Sequence, residues 1–203
     1  MLQKKQLYGL VACGGRSSRM GADKSLLDYH GKSQRYYIYE MLQHFCNAVF
    51  ISCNELQADE VLPGYWIISD QTCYKNTGPM AALLSAFKEY PSQDFVLIGC
   101  DYPFLNESTL HHFLENCSAG KPAAFYNEQA ELYEPLLAFY PASSKIILEQ
   151  MFEEKKYALQ FFLREADATK FIPPDTRSMI SADTNETYSL IKEQLRQNIK
   201  LLK

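Results

Sequence analysis

The chain has no apolar run near the ~20 residues that a membrane-spanning helix requires, and no Cys-x-x-Cys pair among its six cysteines. A membrane span and a disulfide or zinc framework are therefore not expected. Cys13, Cys46, Cys53, Cys73, Cys100 and Cys117 are scattered, several in or beside apolar runs, and read as free buried thiols of a reducing compartment. Excess positive charge is also missing. Twenty Lys and Arg against 24 Asp and Glu leave a net charge of -4, which argues against an extended nucleic-acid surface and makes any anion site local. His30, His44, His111 and His112 lack metal-ligand spacing, and no Ser-His-Asp or Cys-His arrangement stands out. The basic residues 1–6 lead into only about five apolar residues, too few for a signal peptide, so the cytoplasm is the expected compartment.

Repeats, low-complexity tracts and linkers are absent as well. A chain of 203 residues that is 47% apolar has material for one substantial core, and a single domain over 1–203 is expected. Strand-like runs at 7–13, 48–53, 65–69 and 94–100 show little polar alternation, as strands buried on both faces do. Between them, 33–45 and 78–90 carry apolar residues at helical spacing, with Pro79 suited to a first helical position. A further helix is expected after Asn106, through Leu110, Phe113 and Leu114. This alternation predicts an α/β fold, a mostly parallel sheet with helices on both faces. In the second half, 122–126 and 132–140 read as strands around the polar break Asn127-Glu128-Gln129, forming a small antiparallel addition at the sheet edge. Helices at 142–152 and 157–165, a short strand at 170–172 and an amphipathic helix at 184–195 follow, with 198–203 fraying beyond it.

Against this background one segment is dense with chemistry: Ala12-Cys13-Gly14-Gly15-Arg16-Ser17-Ser18-Arg19-Met20-Gly21-Ala22-Asp23-Lys24, directly after the first strand. Paired glycines let a backbone approach closely and reach φ > 0, and two arginines and a lysine can neutralise what the amides hold, so the segment reads as a polyphosphate loop. It is not a Walker loop, because Ala22 and Asp23 separate Gly21 from Lys24, and Gly14, Gly15 and Gly21 do not make a Gly-x-Gly-x-x-Gly dinucleotide fingerprint. In an open α/β sheet ligands sit beyond the C-terminal strand ends, which singles out Asp70 and Asp101 as well. Asp101 follows an apolar strand and precedes Tyr102-Pro103; alone it reads as a turn residue, and beside a phosphate loop as a ligand for Mg²⁺, which binds one or two carboxylates plus phosphate oxygens.

The segment resembles the signature Leu-Ala-Gly-Gly-x-Ser-x-Arg-Met-Gly-x-Asp-Lys of the molybdenum cofactor guanylyltransferases of the MobA type, departing only at Ala12 and Cys13. The resemblance implies a Rossmann-like nucleotidyltransferase domain that transfers GMP from GTP to molybdopterin or molybdenum-molybdopterin and releases pyrophosphate. It implies catalytic roles for Arg19, Lys24 and Asp101, and a nucleotide site built from Ala12, Cys13, Gly14, Gly15, Ser17, Arg19, Lys24, Asp70, Gly78 and Asp101. Arg16 reads equally as a phosphate clamp or a loop charge. Gly78-Pro79-Met80-Ala81-Ala82 is similar to the family's Gly-Pro-Leu-Ala-Gly, and Cys100-Asp101-Tyr102-Pro103 to its Cys-Asp-x-Pro, whose Asp is the metal ligand. Where the family has a second Asn near the C-terminus this chain has Asp183, which reads equally as a second Mg²⁺ ligand or as a helix cap. Glu134-Pro135-Leu136 is similar to a strand near the acceptor, and no chemistry is assigned to it. Cofactor-insertion and molybdoenzyme proteins are implied partners; nucleic acid and membrane are not. Two alternatives stand: a cytidylyl or sugar-phosphate nucleotidyltransferase, the Gly14-Gly15 pair speaking against the cytidylyl branch, and a non-catalytic nucleotide- or cofactor-binding homologue, against which the retention of Lys24 and Asp101 speaks.

Overall fold

The structure is a computed structural model and describes residues 7–13, 23–182 and 184–201. Its seven described strands are β1 (Leu7–Ala12), β2 (Ala48–Cys53), β3 (Ile67–Ser69), β4 (Asp94–Gly99), β5 (Ala123–Asn127), β6 (Leu132–Tyr140) and β7 (Thr169–Phe171). They form one sheet in the order β3-β2-β1-β4-β6-β5-β7. The first four strands in that order are mutually parallel; β6 pairs antiparallel with both β4 and β5, and β7 returns parallel to β5. The antiparallel strand thus lies inside the sheet, not at its edge as the sequence led us to expect. Its apolar run through Leu137, Ala138, Phe139 and Tyr140 is fully buried, so it needs neighbours on both sides, whereas three-residue β7 is short enough to end the sheet.

The described helices are α1 (Gln34–Gln43), α2 (Glu55–Ala58), α3 (Pro79–Glu89), α4 (Glu107–Glu115), α5 (Ser144–Glu153), α6 (Leu159–Glu165) and α7 (Asn185–Leu201). Strand side chains alternate between two cores. On one face Val11, Ile51, Val96, Ile98 and Leu137 pack with Ile38 and Leu42 of α1 and Leu110 and Phe113 of α4. On the other, Leu10, Phe50, Phe95, Leu97 and Ala138 pack with Leu83 and Phe87 of α3, Leu148 of α5 and Phe162 of α6. Burying residues of both parities explains why these strands read as continuous apolar runs.

Local signals set the helix starts. Gly78 precedes α3 with φ 62° and ψ -140°, a conformation essentially restricted to glycine, and Pro79 follows where a missing N–H costs nothing. The Asn106 side chain caps α4 by accepting from Thr109 N at 3.0 Å. The last helix, α7, packs Tyr188, Ile191 and Leu195 onto Leu27, Tyr29, Phe104 and Ala182. It therefore covers Leu27 and Tyr29, which follow Lys24, and Phe104, which lies beyond the end of β4. Its helical backbone runs to Leu201, beyond the end expected at 195. No helix among the described residues is long and apolar enough to cross a membrane.

Candidate active site

Parallel pairing brings the C-terminal ends of β1, β2, β3 and β4 to one margin of the sheet. Ala12 lies opposite both Ser52 and Gly99, and Cys53 opposite Ser69. Whatever follows these strands is gathered there by the register alone. Cys13 leaves β1 with its N–H bound to Ser52 O at 3.0 Å, while Cys100 N binds Ala12 O at 3.2 Å. The Cys13 and Cys100 sulfurs are 3.4 Å apart. Both side chains are buried, as is that of Ala12, so these residues fix where the glycine-rich loop departs and where Asp101 begins. Burial pushes the Cys100 thiol well above its usual pKa, with the Cys13 contact adding to the shift, which keeps this thiol protonated.

Asp101 is half-buried at the exit of β4. A Cβ placed on Gly99 would lie 2.6 Å from its Oδ1 and 3.1 Å from Leu136 Cβ, so the absent side chain of Gly99 is what lets the carboxylate fold back against the strand end. The Asp101 carbonyl accepts from Ala182 N at 3.0 Å. That bond ties the segment preceding α7 to the strand exit.

Asp70 follows β3, its N–H bound to Cys53 O at 3.0 Å and its Oδ1 accepting from Ser52 Oγ at 3.1 Å. Burial raises its pKa and the Ser52 hydroxyl partly offsets the rise. Lys24 begins a short 3-10 turn, Lys24–Leu26, which Asp23 caps by accepting from Ser25 N at 2.8 Å. Gly78 lies at the start of α3, beyond the β3 exit that carries Asp70. Of the other expected site residues, Gly14, Gly15, Arg16, Ser17, Arg19 and Asp183 lie outside the described residues.

Residues 9–169 match the family model of the MobA-like NTP transferase domain. The chain belongs to the MobA-like NTP transferase family. Among curated relatives, a molybdenum cofactor biosynthesis bifunctional protein of Synechocystis is 34% identical over 139 residues, covering 66% of this chain and 39% of that protein. The chain thus spans well under half of that longer relative. A molybdenum cofactor guanylyltransferase of Pseudomonas putida is 28% identical over 159 residues, 77% of this chain and 82% of the relative. The crystal structure of molybdopterin-guanine dinucleotide biosynthesis protein A from Archaeoglobus fulgidus shares the fold, with a TM-score of 0.75 at 20% identity over 94% of this chain and 99% of that one.

Two groups at the site of this MobA-like domain were given no role by the sequence. The β4–β6 register pairs Ile98 with Leu137, so continuing it places Glu134 at the same margin as Asp101. Tyr102 Oη donates to Glu134 Oε2 at 2.9 Å. Burial raises the Glu134 pKa, the Tyr102 hydrogen bond counters it, and the Asp101 charge adds to it. An acidic residue at the head of an apolar strand was the available signal. The second group is Gln57 on four-residue α2, too short to show a helical period. Its sign in the sequence is the spacing Asn54-x-x-Gln57, which forms a capping box.

Proposed function

We propose that this chain transfers GMP from GTP to the terminal phosphate of molybdopterin or its molybdenum-bearing form. An oxygen of the acceptor phosphate attacks the α-phosphorus of GTP, the bond to the β-phosphate bridge breaks, and pyrophosphate leaves. The observation that carries the reading is the juxtaposition of Cys13 and Cys100, which sets the start of the glycine-rich loop beside Asp101 within a family-matched domain. The names of the curated relatives supply the acceptor and the base.

Bringing two phosphates together demands positioning and charge neutralisation more than proton transfer. Lys24 lies at the C-terminal side of the loop and is assigned the nucleotide phosphates, as is Arg19 of the same segment. The backbone of Gly14 and Gly15 and the Ser17 hydroxyl are assigned close contacts to the same phosphates. Asp70 and the Gly78 turn line the nucleotide side.

The oxygen donors present suit a hard divalent cation. Among the described residues no three His, Cys, Asp or Glu side chains form a cage, and Mg²⁺, which keeps several waters and shares substrate phosphates, needs only one or two carboxylates. Asp101 is assigned to Mg²⁺, with Asp183, joined directly to the Ala182 that binds the Asp101 carbonyl, as the second ligand. When bound, the ion offsets the charge that grows on the phosphates. The chain's own part is to hold Asp101 folded over Gly99 and to keep Cys13, where the loop starts, against Cys100.

Incubating the protein with molybdopterin, Mg²⁺ and each of the four nucleoside triphosphates, then identifying the product by mass, tests the reading. The expected product carries GMP and appears with GTP alone. A CMP adduct moves the chain to the cytidylyl transferases, and nucleotide binding without transfer makes it a binding homologue.

A further inference from the structure

The two described ends of the glycine-rich loop are Cys13 and Asp23, and one side chain from another part of the fold touches both. Gln57 Nε2 donates to Asp23 Oδ2 at 2.7 Å and to Cys13 O at 3.3 Å. The rest of its carboxamide is engaged too, with Oε1 accepting from Asn54 N at 3.2 Å while Asn54 Oδ1 accepts from Gln57 N at 3.0 Å. On the far side of Asp23, Oδ1 holds Ser25 N at 2.8 Å, in the turn that starts with Lys24. A continuous polar chain therefore runs from the end of β2 through Asn54, Gln57 and Asp23 to the Lys24 turn.

We infer that Gln57 is a positioning residue for nucleotide binding: by clipping Cys13 to Asp23 it sets the width of the neck of the glycine-rich loop and the placement of Lys24. Only a primary amide fits this position, because the contacts need two N–H donations and one acceptance from a single planar group. A hydrogen bond to a carboxylate is stronger than a neutral one, so the Asp23 contact dominates. Fixing both ends before ligand arrives lowers the ordering cost that binding must otherwise meet. Gln57 touches neither phosphate nor base in this role. The inference rests on the loop being the nucleotide site, as proposed above.

The test compares Gln57→Leu, Gln57→Glu and the exchange pair that combines Asp23→Asn with Gln57→Glu, all in the full chain. GTP affinity is read by calorimetry, and amide hydrogen exchange is read at Ser25, with the β4 amides as a control. Gln57→Leu is expected to weaken GTP binding about tenfold and to speed exchange at Ser25, leaving β4 protection and the melting temperature near wild type. Gln57→Glu, which sets two carboxylates together, is expected to be worse. The exchange pair swaps donor and acceptor across the contact: the new amide at position 23 donates to the new carboxylate at position 57 and still accepts from Ser25 N. It restores the contact with position 23 but not the donation to Cys13 O, which a carboxylate cannot make, so it is expected to recover Ser25 protection and part of the affinity, above Gln57→Glu and below wild type.

Unchanged affinity in Gln57→Leu overturns the inference whether or not Ser25 exchange changes, as does weaker affinity with Ser25 unaffected. An exchange pair no better than Gln57→Glu alone overturns it as well. Wild-type protein that binds no nucleoside triphosphate overturns instead the proposed function, and the Ser25 arm then decides whether the clip exists.

Discussion

On one side of the molecule β3, β2, β1 and β4 run parallel and end together, with Asp70 and Asp101 standing at those ends. On the other side β6 reverses direction, and several polar groups of β6 and its neighbours bond within the fold. Tyr140 Oη donates to Pro135 O at 2.9 Å, Tyr133 Oη to Ala168 O at 2.9 Å, and Gln160 pairs with the Tyr133 backbone at 3.0 and 3.2 Å. Phe113, Phe125 and Phe171 fill the space beneath with ring centroids 4.9 to 5.4 Å apart. Both halves bury their apolar side chains, yet the charged candidates outside the glycine-rich loop cluster where strand ends coincide. Glu134 marks the boundary, since β6 begins at the margin where β4 finishes.

If that division is right, damage at the parallel margin costs turnover and damage in the second half costs stability. The largest effect is expected from Asp101→Ala. Losing the assigned metal ligand should lower the rate of pyrophosphate release about 10³-fold, while thermal unfolding shifts little. Near-normal rates at saturating Mg²⁺ would break the comparison at its strongest point.

Gly99→Ala sharpens it, because the new methyl would lie 2.6 Å from Asp101 Oδ1. Moving that carboxylate should reduce the rate about 10- to 100-fold, and the overpacking against Leu136 should cost about 1–3 kcal/mol in denaturant unfolding. A variant with a normal rate and an intact fold shows that the folded-back carboxylate is not the working one.

Tyr140→Phe probes the other half. It leaves the Pro135 carbonyl without its hydroxyl donor and should cost about 1–3 kcal/mol of stability, with kcat and KM of the folded protein unchanged. A loss of activity that outlasts the correction for unfolded protein would join the two halves functionally.

The smallest effect is expected at Asp70. Its pKa is raised in the folded protein by burial, so the native state binds the proton more readily than the unfolded chain. The ionised carboxylate therefore weighs against folding at neutral pH, and that penalty vanishes as pH falls through the raised pKa toward the ordinary aspartate range. Asp70→Asn, which keeps an acceptor for Ser52, is expected to melt slightly higher than wild type at pH 7 and at the same temperature in acid. A gap that widens on acidification reverses the sign and returns Asp70 to a stabilising ion.

The strands at 48–53 and 94–99 and helices α1, α3 and α4 were legible within a residue or two, because buried runs and 3.6-residue spacing leave a local imprint. The caps at Asn106 and Gly78-Pro79 were legible for the same reason. Asp70 and Asp101 could be singled out from position alone, through the rule that ligands lie beyond strand ends. The roles of Gln57 and Glu134 could not. Each matters through partners that are far away in sequence, 34 and 44 residues for the clip and 32 for the Tyr102 contact.

By itself the sequence determined the class of the fold and the chemistry on offer. Patterning within each segment decides helix or strand, and the Gly14-to-Lys24 segment carries its residue types wherever it is placed. Tertiary structure alone decided the strand order, including the interior position of β6, because pairing choices depend on which apolar faces must be covered together. It also decided that Gly99 makes room for Asp101 and that Gln57 bridges Cys13 to Asp23. The Gln57 contacts join segments 34 and 44 residues apart, and the Asp101 carboxylate folds over Gly99 at a strand exit that Leu136 of the neighbouring strand crowds from the other side; no local pattern encodes such distances.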